Sequence, residues 1–133
     1  MTLMILEITD PTHRITESAK GPDQRRERFR VFALVVRFEL VDEYAAQGFD
    51  ALLAEALPYI SAEPGTLLYL AHTVEDAPLS RIFYELYENR DAHVKHESYD
   101  HTSRFLAEKD QYLTGFRVEF LDEPTGKGLP QLS

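Results

Sequence analysis

Cysteine is absent from the 133 residues. Disulfides, zinc–thiolate sites, iron–sulfur clusters and thiol nucleophiles are thereby excluded for this chain. Such a chain suits a reducing compartment, and a cytoplasmic location is expected. Long apolar runs are missing as well. Nothing approaches the ~20 residues that cross a bilayer. The opening MTLMILEITD has no basic residue before its apolar stretch and no small-residue cleavage site, so neither a membrane span nor a signal peptide is expected. Positive charge is in deficit: 14 Lys and Arg stand against 23 Asp and Glu, a formal net charge of -9. That balance repels phosphate backbones, and the arginines form no basic, aromatic-rich stripe, so no nucleic-acid partner is expected. No repeat and no low-complexity block is visible.

What is present suits one compact domain, with an ordinary apolar content of 44%. Residues 10–28, DPTHRITESAKGPDQRRER, mix Pro, Gly, Ser and charge without apolar periodicity. They divide the chain into an N-terminal arm (1–28), a core domain (29–123) and a C-terminal tail (124–133). Within the arm, Leu3, Ile5 and Glu7 alternate with Met4, Leu6 and Ile8, which reads either as a short strand seeking a sheet edge or as a frayed terminus.

The core opens with RVFALVVRFEL. Phe32, Leu34, Val36, Phe38 and Leu40 share one face of a strand, and Val31, Ala33 and Val35 share the other. EYAAQGFDALLAEALPYI then spaces apolar residues as a helix does, with Asp42 as its cap and Pro58 expected to kink or break its last turn. TLLYLAHTV and RIFYELY read as strands, with VEDAPLS a loop between them. Asn89 is placed to cap one short helix, and Ser98 a second running to about Tyr112. FRVEFLD, entered at Gly115, is the last strand. The order β-α-β-β-α-β is that of a ferredoxin-like α+β fold with an antiparallel sheet. Strands apolar on both faces need a layer on each side, and the helices supply one. A second copy of the sheet is the economical source of the other, which predicts a homodimer.

With this order in place, AEPGTLLY, then FYELY, then the pair His96 and His101 resemble the antibiotic biosynthesis monooxygenase family. Glu63, Pro64, Gly65, Phe83, Tyr84, Glu85, Tyr87, His96 and His101 carry the resemblance, which covers residues 30–122. It implies a dimeric α+β barrel and a monooxygenase that needs no cofactor. A small aromatic hydroquinone, phenol or polyketide-type substrate is deprotonated, and its anion reacts directly with dioxygen. The chain departs from the family pattern at His93, Asp100 and Thr102. It also lacks tryptophan, which argues against the haem-degrading branch.

Three of the five histidines, His93, His96 and His101, fall close together. A metal site is not expected, because His93 and His96 are three apart where a helical zinc pair wants i and i+4. His96 and His101 are the candidate catalytic groups. Near a helix N-terminus His101 would be held neutral, able to take a proton from a phenol or to donate to a developing oxyanion. The competing reading is that both histidines clamp a helix break. His93, Tyr69, His72, Tyr84 and Tyr87 are candidate substrate-binding residues lining a cavity between sheet and helices, with His72 alternatively at the dimer seam. Glu85, mid-strand, requires a partner, for which Arg37 and Arg117 are the candidates. Two other functions remain open: a non-catalytic dimeric small-molecule-binding protein, and a cofactor-free isomerase or degrader of a small carbonyl metabolite.

Overall fold

The computed structural model describes residues 30–128. The arm, with His13 and the Leu3–Ile8 alternation, lies outside them, as does the end of the tail. The described residues form one four-stranded antiparallel sheet with helices on one side. In chain order the elements are β1 (Phe32–Leu40), α1 (Glu43–Ser61), β2 (Thr66–Val74), β3 (Ala77–Tyr87), α2 (Arg90–Ser98), α3 (Asp100–Glu108), a 3₁₀ turn (Lys109–Tyr112) and β4 (Leu113–Leu121). The sheet order β2-β3-β1-β4 is the ferredoxin-like arrangement.

The two-residue side-chain period sorts the strands cleanly. Phe32, Leu34, Val36, Phe38 and Leu40 of β1 are all buried. Across β1 they lie opposite Tyr87, Glu85, Phe83 and Arg81 of β3, and opposite Phe120, Val118 and Phe116 of β4. This face meets Phe49, Leu52 and Leu53 of α1 and Phe105 and Leu106 of α3, which together make the core. Arg81 reaches from the same face to Asp50 of α1 with two contacts of 3.0 Å. That bidentate pair pins α1 to β3. The other face carries Ala33, Val35, Ile82, Tyr84, Leu86, Leu68, Leu70 and His72, and no helix of the described residues covers it.

Capping follows the sequence at two helices. Asp42 accepts from the Ala45 N–H and Asn89 from the Ala92 N–H, both at 2.8 Å. Pro58 does not end α1, which continues to Ser61. Ser98 is not a cap. It closes α2, and its hydroxyl donates to the Lys95 carbonyl at 2.6 Å. Extended Tyr99 (φ -71, ψ 148) starts α3, with no side-chain cap bond. The loop foreseen between β2 and β3 shrinks to Glu75 and Asp76, because Ala77–Leu79 already belong to β3. Pro78 is tolerated there because pairing with β1 begins only at Ser80.

Glu85 is a further correction. It faces the helices, whereas Arg37 and Arg117 project from the opposite face, where Arg37 pairs with Glu39 at 2.6 Å. The hydroxyl of Tyr87, two residues along the same face, donates to Glu85 at 2.7 Å instead. Burial raises the Glu85 carboxyl above its ordinary range.

Candidate functional site

The site begins at the end of α1. After Ser61 the chain turns through Ala62–Thr66, with the Glu63 N–H donating to the Ile60 carbonyl at 3.0 Å and the Thr66 N–H to the Glu63 carbonyl at 3.3 Å. Gly65 is required at this turn by proximity. A Cβ there would lie 2.7 Å from the Cβ of Ala92, so only glycine lets α2 pack so closely. The Glu88 N–H seals the contact on the Gly65 carbonyl at 2.9 Å.

The turn delivers Glu63 beneath the break between α2 and α3. In one unbroken helix, residues 96 and 101 would stand about 140° apart around the axis. The extended Tyr99 redirects the chain, and both imidazoles converge on one carboxylate. His96 Nδ1 lies 2.8 Å from Glu63 Oε1, and His101 Nε2 lies 2.5 Å from Oε2. The Thr66 hydroxyl adds a third donor at 2.6 Å. Burial works to raise the Glu63 carboxyl. Hydrogen bonds from His96, Thr66 and His101, helped by charge on His96, outweigh it and hold the group below its ordinary value. An ionised carboxylate only accepts, so each imidazole presents an N–H to it, which leaves His96 Nε2 and His101 Nδ1 as the remaining ring nitrogens.

The two histidines differ in access. His96 is 3% exposed, enclosed by the rings of Tyr69 (5.5 Å), Tyr87 (5.3 Å) and His93 (6.2 Å). The His101 side chain keeps 17% of its surface. Its ring stacks on Tyr59 at 5.5 Å and on Tyr99 at 5.2 Å, and it lines a small groove of about 50 Å³ with Leu52, Tyr59, Arg104 and Phe105. Of the two, His101 is the group a ligand can meet.

The predicted residues are only partly brought together. Tyr69, Tyr87, His93 and His96 share the helix-facing side, beside Glu85. Tyr84 and His72 lie on the uncovered face, cross-strand from Leu70 and Ile82, and cannot line the same space. The layer foreseen as a cavity is occupied there by Phe83, Tyr87, Phe105 and His93, each at most 5% exposed. Burial lowers the His93 imidazole to about 3, with the neighbouring charges of His96 and Arg90 adding to the effect. Its 3.6 Å approach to Glu97 is therefore not an ion pair at neutral pH. Among the described residues no three His, Asp or Glu side chains gather as a metal-binding group. Sequence reasoning treated Glu63 as a motif match and missed it as the hub. It also missed the flanking rings of Tyr59 and Tyr99.

Fold and site together define a ferredoxin-like α+β domain with a histidine–carboxylate–histidine bridge at its helix break. The family model for antibiotic biosynthesis monooxygenases matches residues 31–108, more than half of the chain, and the chain belongs to that family. Among solved structures, Rv0793 from Mycobacterium tuberculosis is 23% identical with a TM-score of 0.68, over 74% of this chain and 99% of that one. SO0527 from Shewanella oneidensis is 21% identical with a TM-score of 0.65, over 70% and 90%. A variant of SnoaB, a cofactor-independent oxygenase from Streptomyces nogalater, is 13% identical with a TM-score of 0.64, over 74% and 97%. At these identities the likeness is one of fold. No curated protein matches the chain.

Proposed function

We propose that the protein is a monooxygenase that oxidises a small hydroxylated aromatic with dioxygen, and that His101 is its acid–base group. The observation that carries this reading is the Glu63 bridge. A buried carboxylate accepts the Nε2–H of an accessible imidazole, fixing its orientation and tautomer so that Nδ1 is the acceptor. Nδ1 removes a proton from the substrate hydroxyl. The resulting phenolate is electron-rich enough to reduce dioxygen directly. One oxygen atom ends on a ring carbon as a carbonyl, and the other leaves as water with the two hydrogens the substrate loses. His96 shares the same carboxylate but is walled in by Tyr69 and Tyr87, so it acts as the anchor of the bridge. The family membership and the oxygenase named among the structural neighbours support the reaction class.

The reading includes a homodimer formed through the uncovered sheet face. Leu68, Leu70 and Leu121 are each more than a third exposed on that face.

The test is oxygen uptake by metal-stripped protein over a panel of benzenediols and anthrones. Uptake is expected with at least one of them, and His101→Ala should lower kcat by roughly 10²- to 10⁴-fold. Glu63→Gln, which removes the charged acceptor that orients His101, should lower it less. No uptake above background across the panel removes the reading.

A further inference from the structure

Among the described residues, β4 pairs on one side only. The sheet order β2-β3-β1-β4 gives it β1 as a neighbour along its 9 residues and leaves its outer edge free. An edge of that length presents a row of backbone donors and acceptors that proteins ordinarily cover. Its side chains are short of cover too. Phe116, Val118 and Phe120 face the helices and pack on the core, yet each is only half-buried. Their cross-strand neighbours on β1, Phe38, Val36 and Leu34, are at most 2% exposed.

The chain carries a segment that fits this edge. In residues 3–8, LMILEI, Leu3, Ile5 and Glu7 alternate with Met4, Leu6 and Ile8. The described residues begin beside the end of β4, where Arg30 holds Glu123 at 3.2 Å. Residues 9–29 span up to ~70 Å when extended, against roughly 30 Å for the length of β4, so residues 3–8 can reach the whole edge. Laid antiparallel to β4 with Glu7 opposite Arg117, the segment sets Met4, Leu6 and Ile8 beside Phe120, Val118 and Phe116. Leu3 falls beside Leu121, and Ile5 beside Glu119 is the one mismatch. Arg117 stands directly across from Arg37, a like-charge pair that an added acid offsets. So placed, the segment runs parallel to β1 from two positions away. Its return to β1 then repeats the step from β1 to β2, in the same direction across the sheet. A right-handed crossover of that kind passes over the helix side, across the half-buried residues of β4.

We propose that residues 3–8 add a fifth strand to the free edge of β4 in the same chain, in the register that sets Glu7 opposite Arg117. Backbone pairing fixes the strand, and Met4, Leu6 and Ile8 close the flank of the core. Leu3 and Ile5 lengthen the sheet face that lies away from the helices. The strand stands independently of the monooxygenase reading.

The experiment is amide hydrogen exchange, read by NMR on the full chain and on a chain lacking residues 2–9. Alternate amides of β4 bond to β1, and the others point outward. Measured against the β3 amides of the same sample, the outward set should exchange at least roughly tenfold more slowly in the full chain than in the shortened one. Leu6→Pro, which removes a backbone donor from the segment, should release the same amides. Arg117→Glu sets two acids opposite each other and should speed their exchange, and adding Glu7→Arg should restore the protection. Equal exchange with and without residues 2–9 overturns the strand, as does protection at the outer edge of β2 in place of β4. A charge exchange that restores nothing overturns the register. Protection that fades on dilution gives the segment to a second copy and overturns its place in the same chain.

Discussion

His93 is the residue least at ease in its surroundings. Its ring lies 5.2 Å from Phe32, 5.0 Å from Tyr87 and 6.3 Å from Phe120, and neither nitrogen has a hydrogen-bond partner among the described residues. Lowered to about 3 from an ordinary 6.5, it stays neutral in the fold where the unfolded chain takes up a proton. Between those two pH values the unfolded state binds more protons, so stability falls as the pH drops from about 6.5 toward 3. An apolar ring in place of the imidazole removes both penalties. His93→Phe is expected to gain about 1–3 kcal/mol at pH 7 from the two unmet polar atoms. The gain should widen by a few kcal/mol at pH 4, read from urea unfolding at each pH. A variant that is less stable at both would show that the imidazole is satisfied in solution. That His93 departs from the family pattern was legible in the sequence. The true partner of Glu85 was not, because the pleat decides which face a residue joins, and Arg37 stands on the other one.

At the scale of elements, the decisive feature is the break at Tyr99. Helix starts at Asp42 and Asn89 could be read because their side chains bond within three residues. The start of α3 could not, since it has no side-chain cap and is set by where the Glu63 bridge pulls the chain. The bridge depends in turn on the close approach of α2 to the turn at Gly65. Gly65→Ala would bring a methyl group to 2.7 Å from the Ala92 Cβ and push α2 outward. A loss of about 1–3 kcal/mol is expected from such crowding. Because His96 rides on α2, the loss of oxygen uptake should exceed what the fraction unfolded explains. Urea melts and uptake on the same samples check both, and unchanged stability would mean that the neighbouring helix gives way freely.

Among the described residues, helices cover one side of the sheet only. Val35, Ile82 and Tyr84 are half-buried on the other side, next to the exposed Leu68 and Leu70. Exposed apolar residues grouped on one face suit the proposed dimer contact. Leu70→Glu, placed at its centre, should convert a dimer into a folded monomer in sedimentation equilibrium while leaving the circular dichroism spectrum unchanged. Wild-type protein that sediments as a monomer at every concentration would end the dimer reading. The same surface accounts for Tyr84 and His72, whose place is with that face and not with the helix-side histidines.

Period and order are local properties, and the sequence alone determined what depends on them: the succession of elements, the apolar face of each strand and the two well-capped helix starts. Through its motifs it also indicated the family. Tertiary structure alone decided that Glu63, thirty-three residues from His96, gathers two histidines and a threonine. It likewise filled the sheet–helix layer and left the open hollows at the surface. Convergence on one carboxylate is a matter of how three separate segments pack, and no spacing along a chain encodes that contact by itself.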